Sequence, residues 1–246
     1  MREFFNQFFD FGTARPYLGS LAKGFWVTIQ IAFLAEAICL ALGLVLAVMR
    51  RFRVEPNRPL AARVGARLVR ALAITYINVF RGVPALLVLL AMFASFPFLP
   101  IPVVQDLTEY QIGFIGLGVV YAAYVAEVYR AGIDSVDRGQ TEAARSLGMS
   151  GGQAMRLIVL PQAVRRVLPP LMNDFIALSK DVALVSVISV NDVVFEARAA
   201  QAQTFNATSL TIAGLFYLGF TLPLTWILDW LITREERRTT RGIITP

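Results

Sequence analysis

Residues 139–161 read GQTEAARSLGMSGGQAMRLIVLP, and this stretch contains a set of residues at fixed spacing. The set has Glu-Ala-Ala first, a glycine four residues after the second alanine, and Ile-x-Leu-Pro after nine more residues. Its members are Glu142, Ala143, Ala144, Gly148, Ile158, Leu160 and Pro161. Because long apolar runs lie on both sides of it, we predict that the stretch connects two membrane-spanning segments.

The first part of this stretch has the local signals of a short helix. Asp137 followed by Gln140 is typical of a capping box at a helix start, and Gly148 stands where a helix ends in a left-handed turn. One face of the helix then carries Gln140, Ala143, Ala144 and Leu147. The other face carries charges that can pair along the helix, namely Arg138, Glu142 and Arg145.

A second helix is predicted to begin directly after this glycine. Ser150 and Gln153 have the spacing of another capping box. One side of the helix is predicted to carry Ala154, Leu157, Ile158 and Pro161. Proline at position 161 is expected to end or kink the helix.

The composition places the chain in a bilayer. Hydrophobic residues make up 57% of its 246 residues and charged residues 16%, with a mean hydropathy of +0.61. The chain has 23 Lys and Arg against 17 Asp and Glu, but no basic stripe with stacking aromatics outside the apolar runs, so we expect no nucleic-acid partner. Cys39 is the only cysteine, so no internal disulfide is possible, and no histidine is present for a Ser-His triad or a histidine metal site.

Five apolar runs qualify, or nearly qualify, as membrane spans: 24–49, 83–104, 112–128, 171–195 and 210–228. Lys and Arg number eight in residues 50–81, seven in 130–180 and four in the C-terminal tail, with none between the second and third spans. Since basic residues collect in cytoplasmic loops, we predict an extracytoplasmic N-terminus and a cytoplasmic C-terminus.

The remaining sequence adds no second domain. Residues 1–20 are interrupted by acidic residues and have no separate apolar core before a cleavage site, so we predict an interfacial helix rather than a signal peptide. Its aromatic residues are Phe4, Phe5, Phe8, Phe9 and Phe11. We therefore predict a single all-α, polytopic membrane domain over 1–246, with a cytoplasmic loop at 131–170.

With these residues in view, the chain resembles the polar amino acid uptake branch of ABC importer permeases over about residues 20–235. The resemblance is carried by the stretches 80–84 (FRGVP), 122–133 (AAYVAEVYRAGI), 139–150 (GQTEAARSLGMS), 160–174 (LPQAVRRVLPPLMND) and 180–188 (KDVALVSVI). The branch often has Thr and Ser after Lys-Asp, where this chain has Val182 and Ala183.

The resemblance implies the transmembrane-domain fold of a type I ABC importer, with the 131–170 loop docking on an ATPase. It implies docking roles for Arg138, Gln140, Glu142, Ala143, Ala144, Arg145, Leu147, Gly148, Ile158, Leu160 and Pro161. The implied partners are a second permease subunit, identical or a sister chain, two ABC ATPases and an extracytoplasmic binding protein that delivers a polar amino acid. No phosphate-binding Gly-x-x-x-x-Gly-Lys-Ser/Thr run occurs, so ATP and Mg would bind the ATPase subunits, and the bacterial inner membrane is the expected location.

Polar residues within the predicted spans are candidates for a substrate path or gate, because ionisable groups in a bilayer are costly and often functional. These residues are Glu36, Glu127, Ser179, Lys180, Asp181, Ser186 and Ser189. The three serines are predicted to share one helical side, and Glu127 is one possible partner of Lys180. Direct contact with an amino acid and an internal charge network both remain open. An ion-coupled secondary transporter or channel is the alternative function, and a membrane enzyme lacks a visible nucleophile-base pair.

Overall fold

The computed structural model describes residues 1–52 and 59–241, with side chains for all of these except Arg2 and residues 235–241. In this part of the chain the backbone forms helices joined by short turns, and no strand occurs, so the all-α prediction is confirmed. The α-helices are α1 (Arg2–Phe9), α2 (Phe11–Ala14), α3 (Leu18–Arg51), α4 (Leu60–Gly82), α5 (Ala85–Ser95), α6 (Pro102–Gln105), α7 (Glu109–Asp134), α8 (Arg138–Ser146), α9 (Gly151–Ala154), α10 (Leu160–Asp181), α11 (Val193–Thr204) and α12 (Thr208–Arg241). Turns of 3₁₀ helix lie at Arg15–Tyr17, Phe96–Phe98 and Val182–Ile188, and a π-helix lies at Met155–Val159.

Three helical segments of the described chain are long and apolar enough to cross a bilayer unaided: Glu3–Arg51, Glu109–Asp134 and Thr208–Arg234. They contain the predicted spans 24–49, 112–128 and 210–228. Parts of two predicted cytoplasmic segments, residues 53–58 and 242–246, lie outside the described residues.

The predicted span 83–104 is not one continuous helix. Two segments are long and apolar enough to cross a bilayer only when they are taken together, and they are bent by 105° at the break between them: Leu60–Gly82 and Ala85–Phe98. Pro84 stands at the break as the N-cap of α5, with non-helical backbone (φ −57°, ψ 135°). Its ring also disfavours α conformation in Val83, the residue before it, so the helix that ends at Gly82 does not continue. Helix α5 then ends at Ser95, and Pro97 follows within a 3₁₀ turn. The sequence-based boundaries of this span were therefore wrong.

The predicted span 171–195 is also divided. Helix α10 ends at Asp181, a 3₁₀ stretch follows, and Ser189 then adopts a left-handed φ of +65° before α11 begins. The segment is not among the described helices that satisfy the conditions for a membrane span, since it carries several polar residues. The count of five crossings and the orientation of the termini stay predictions.

Contacts along the chain group the residues into two compact units. The first contains Met1–Ile38, Val83–Val120 and Phe175–Leu224. The second contains Cys39–Gly82, Tyr121–Asp174 and Thr225–Pro246. Four helices, namely α3, α7, α10 and α12, contribute residues to both units. The single permease domain over 1–246 stays a prediction.

In the first unit, aromatic and aliphatic side chains of α3, α11 and α12 form the core. Phe25 stacks on Phe216 with ring centroids 5.0 Å apart. The N-terminal segment packs against the turn before α12, where the backbone N–H of Ala207 donates to the carbonyl of Gln7 (2.9 Å). Exposed phenylalanines remain on α1, and their location at the membrane interface stays a prediction.

In the second unit, the end of α7 packs closely against α10. A Cβ atom added at Gly132 would lie 2.0 Å from Cγ1 of Val167, so only glycine permits this approach. Val136, Val159 and Ala163 form a small buried cluster beside that contact. The chain between α7 and α10 is therefore held at both of its ends, and α8 lies between these anchors.

Candidate functional site

Helix α8, the first helix of the predicted docking loop, begins with a different cap from the one predicted. The side chain of Asp137 accepts a hydrogen bond from the backbone N–H of Gly139 (2.6 Å), whereas Gln140 bonds only to the Asp137 carbonyl through its backbone. The aspartate caps the second amide of the helix, and among the described residues no hydrogen bond joins the Gln140 side chain to the backbone N–H of Asp137, so a capping box is not formed. The helix start is nevertheless capped where the sequence placed it.

The end of α8 confirms the predicted left-handed glycine. Gly148 has a φ of +85°, and its N–H donates to the carbonyl of Arg145 (3.0 Å). The N–H of Met149 donates to the carbonyl of Ala144 (3.1 Å). This pair of bonds is the Schellman arrangement, which satisfies carbonyls that a helix end otherwise leaves unpaired.

The two predicted faces of α8 differ in what they contact. On the apolar face Ala144 is buried, but Leu147 at the end of the helix is 82% exposed. On the polar face no ion pair joins the predicted charges among the described residues; Arg145 instead donates to the carbonyl of Met149 (3.2 Å). Helix α8 therefore presents an uncovered leucine and unpaired charges.

The second helix begins with the capping box that the sequence predicted. The N–H of Ser150 donates to Oε1 of Gln153 (2.8 Å), and the N–H of Gln153 donates to Oγ of Ser150 (3.2 Å). Two short helical segments, α8 and α9, are thus each fixed at their N-termini by a local side-chain contact.

The side chains that follow do not form the predicted face. A π-helix at Met155–Val159 inserts an extra residue into the turn, so the buried positions become Ala154 and Val159, while Leu157 is exposed. Pro161 does not end the helix, because α10 continues to Asp181. The side-chain amide of Gln162 donates to the carbonyl of Ile158 (3.0 Å) beside the proline. The prediction of one face over Ala154, Leu157, Ile158 and Pro161 was therefore wrong.

Glu127 on α7 lies in a cluster of arginines. Its carboxylate accepts from Arg50 of α3 and from Nε of Arg130 (2.8 Å), and Nη1 of Arg81 lies 3.6 Å away. The side chain of Glu127 is only 18% exposed. Glu127 thus pairs with arginines rather than with Lys180, the partner that the sequence suggested.

A second carboxylate extends the cluster toward the end of α7. Asp134 accepts from Arg51 (3.0 Å) and from Arg130 (2.9 Å), so Arg130 bridges Asp134 and Glu127. Only the contacts within α7, at spacings of three and four residues, were visible as a local pattern in the sequence. The cluster as a whole was missed.

The predicted serine face is not formed. Ser179 donates to the carbonyl of Ile176 (2.8 Å), and Ser186, which lies in the 3₁₀ stretch, donates to the carbonyl of Ala183 (2.7 Å). Ser189 is exposed at the left-handed position. The reason is the change from 3.6 to about 3.0 residues per turn after Asp181.

The other candidates for the path lie in the helices where the sequence placed them. Glu36 is partly buried in α3, Lys180 is exposed near the end of α10, and Asp181 beside it is partly buried. Their assignment to a substrate path or gate stays a prediction, as does the docking role of the loop.

Comparison with known proteins connects these features to a family. Residues 60–237 match the family described as "Binding-protein-dependent transport system inner membrane component". The chain is 34% identical to the arginine transport system permease protein ArtQ of Bacillus subtilis (strain 168), over 89% of this chain and 93% of that protein. It is 33% identical to the glutamate/aspartate import permease protein GltK of Escherichia coli O6:H1, over 92% of this chain and 98% of that protein.

Solved structures agree with this relationship. The crystal structure of an amino acid ABC transporter with histidines matches with a TM-score of 0.77 at 33% identity, over 89% of this chain and 95% of that one. An inward-facing structure of the MetNI methionine ABC transporter matches with a TM-score of 0.70 over 89% of this chain and 97% of that one, and at 20% identity it shows the fold alone.

These findings confirm the predicted class of protein and its location in the inner membrane. Permease subunits of ABC transporters have no ATPase site of their own, and the ATPase is a separate subunit. The family name also implies a binding protein as a partner. The chain belongs to the inner membrane components of binding-protein-dependent transport systems, and within them to the permease subunits of amino acid ABC transporters.

Proposed function

We propose that this permease takes up a polar amino acid that an extracytoplasmic binding protein delivers. The support is the kind of cargo in the names of its relatives, which are arginine, glutamine, and glutamate or aspartate permeases. An ion-coupled secondary transporter would leave the capped loop between α7 and α10 without a role. The permease works as one half of a membrane pair, with an identical or a sister subunit.

The observation that carries the coupling mechanism is the form of α8. The helix is capped at Asp137, closed at Gly148 by two backbone hydrogen bonds, and presents Leu147 with 82% of its surface uncovered. A short helix with both ends fixed binds a partner at a lower entropic cost than a flexible loop does, because little conformational entropy remains to be lost on binding. The exposed Leu147 is available for an apolar contact with a partner. Helix α8 therefore docks on an ATPase subunit.

Docking at this position would couple the binding of nucleotide by the ATPase to a change between two conformations of the transporter. Two ATPase subunits hold ATP and Mg, and they draw together when ATP is bound. Their movement carries the two α8 helices with them and changes which side of the membrane the spans open to. Nucleotide can drive this change only by binding one of the two states better than the other.

The anchoring of the loop supports this role. Its two ends rest on the packed contact between Gly132 and Val167, so a force on α8 reaches α7 and α10 directly. The arginine cluster around Glu127 ties α7 to α3 and α4 in the same unit. Glu127 thus acts in an internal charge network. The candidates for substrate contact or gating are then the other residues named for that role: Glu36, Ser179, Lys180, Asp181, Ser186 and Ser189.

The docking role is tested by reversing a charge on α8. The permease would be co-expressed with its ABC ATPase and purified through a tag on the permease. Glu142→Lys is expected to lower recovery of the ATPase. It is also expected to lower ATP-driven uptake of arginine, glutamine and glutamate into proteoliposomes supplied with the binding protein. The matched control is Asp106→Lys, which reverses an exposed carboxylate in the turn between α6 and α7. Equal recovery and uptake for both variants and the unchanged chain would contradict docking through α8.

A further inference from the structure

A cavity of about 750 Å³ lies in the second unit beside the docking loop. Its walls come from the ends of α3 and α7, from α4, and from the segment that contains α8. Ionisable residues dominate the lining: Arg50, Arg51, Arg70, Arg130, Arg138 and Asp134. Neither the family nor the proposed docking of α8 gives this cavity a ligand.

The carboxylates near the cavity do not neutralise its arginines. Asp134 is shared by Arg51 and Arg130, and Glu127 is shared by Arg50 and Arg130. The other two lining arginines, Arg70 and Arg138, form no ion pair with any described residue. The lining itself holds five arginines and one aspartate, a formal charge of +4, and Glu127, which pairs with two of these arginines, lowers it to +3.

The excess charge is accessible to a ligand. The side chains of Arg50, Arg51 and Arg130 are 25%, 41% and 37% exposed, so their guanidinium groups are not sealed inside the protein. Like charges that share a cavity raise its positive potential, and an anion placed among them lowers the free energy of the whole group. The positive potential of the cavity therefore favours the binding of an anion.

The type of side chain narrows the chemistry of that anion. Guanidinium groups offer paired N–H donors that match the oxygens of a phosphate group. Ile133, Val136 and Met155 add an apolar wall that suits the carbon part of a phosphate ester. The volume is much larger than a single inorganic ion needs and falls in the usual range for small-molecule sites, about 300–1,000 Å³.

We propose that this cavity binds a phosphate-bearing anion. Two sources offer that group. The predicted orientation puts the cavity on the cytoplasmic side, where anionic phospholipids are attracted to basic pockets between membrane helices, and soluble phosphates are also present there. In either case the anion contacts Arg70 of α4 and Arg138 of α8, two arginines that no described carboxylate pairs.

The experiment uses the purified complex of the permease with its ATPase, and it measures the thermal midpoint of unfolding. Short-chain phosphatidylglycerol and inorganic phosphate are titrated separately, with phosphatidylcholine of the same chain length as the neutral lipid. We expect saturable stabilisation by phosphatidylglycerol or by phosphate, and none by phosphatidylcholine. Response to phosphatidylglycerol alone identifies a lipid headgroup site, and response to both identifies a site for the phosphate group itself.

Variants locate the response in this cavity. Arg70→Gln is expected to raise the half-saturating concentration of the anion about tenfold, as the loss of one charge-assisted hydrogen bond would do. Arg67→Gln is the matched control, since Arg67 lies one turn earlier on α4, is exposed and does not line the cavity. Asp134→Asn is expected to have the opposite effect and tighten binding, because it removes the one carboxylate among the described residues that line the cavity.

Three outcomes would overturn the proposal. They are no saturable response to either anion, an equal loss for Arg70→Gln and Arg67→Gln, and weaker binding in Asp134→Asn. Size-exclusion chromatography and the thermal midpoint without ligand show whether Arg70→Gln folds. If it does not fold, the proposal is decided by whether Asp134→Asn binds the anion more tightly or more weakly. If Arg70→Gln reduces ATPase recovery while neither anion stabilises the complex, the cavity is an ATPase contact and the anion site is refuted.

Discussion

Replacement of Gly148 by alanine isolates the contribution of the turn that closes α8. Gly148 has a φ of +85°, and a Cβ atom added there would meet no atom within 4 Å. The substitution therefore creates no clash, and its cost arises from the backbone conformation alone. An L-residue with a side chain disfavours the left-handed region because its Cβ atom approaches the following carbonyl oxygen.

The magnitude follows from that conformational cost. Alanine in the left-handed region costs about 1–2 kcal/mol, which lowers the population of this turn relative to its alternatives by about 5-fold to 30-fold. If the ATPase binds only the closed form of α8, its apparent affinity falls by at most the same factor. Gly148→Asn is expected to lose less, because asparagine tolerates left-handed backbone better than alanine.

The assay measures the affinity of the ATPase for the full permease in lipid nanodiscs. ATP-driven uptake is then measured in proteoliposomes supplied with the binding protein. Gly152→Ala is the matched control: its added Cβ atom also meets nothing within 4 Å, but its backbone is helical. Alanine is the better helix former by about 1 kcal/mol, so this control should bind as well as the unchanged chain. An unchanged affinity in Gly148→Ala, or an equal loss in Gly152→Ala, would refute the reasoning.

The features that the sequence predicted correctly depend on neighbouring residues. A serine and a glutamine three positions apart fix a helix start, and Gly148 fixes a helix end, because each contact spans only a few residues. Long apolar runs likewise predict α3, α7 and α12 without knowledge of their partners. Composition and local spacing therefore recovered the fold class, the end of α8 and the start of α9, but not the face of the helix that follows.

The features that the sequence missed depend on packing between distant segments. Arg50 lies 77 residues from Glu127, so their ion pair has no local signal. The π-helix before Leu160 and the 3₁₀ stretch after Asp181 also change the number of residues per turn, and a fixed period of 3.6 cannot anticipate such changes. Each change of period turns the side chains that follow it to another face. The three serines therefore do not share one side, although α10 forms as far as Asp181.

Two further predictions concern contacts that hold the second unit together. Gly132→Ala places a Cβ atom 2.0 Å from Cγ1 of Val167, so it should lower the free energy of unfolding by about 1–3 kcal/mol in a denaturant titration. Val167→Ala in the same chain removes that methyl group and should restore part of the loss; a double variant that is less stable than Gly132→Ala would contradict the overlap. Glu127→Gln leaves Arg50 and Arg130 without their shared carboxylate and should cost about 1–3 kcal/mol in the same titration, because Glu127 is only 18% exposed. Arg81→Gln breaks the 3.6 Å contact of a half-exposed side chain with Glu127 and its cation–π contact with the ring of Tyr124 (5.8 Å to the centroid). It should cost about 1 kcal/mol, less than Glu127→Gln, so equal losses would show that burial does not set the strength of this cluster.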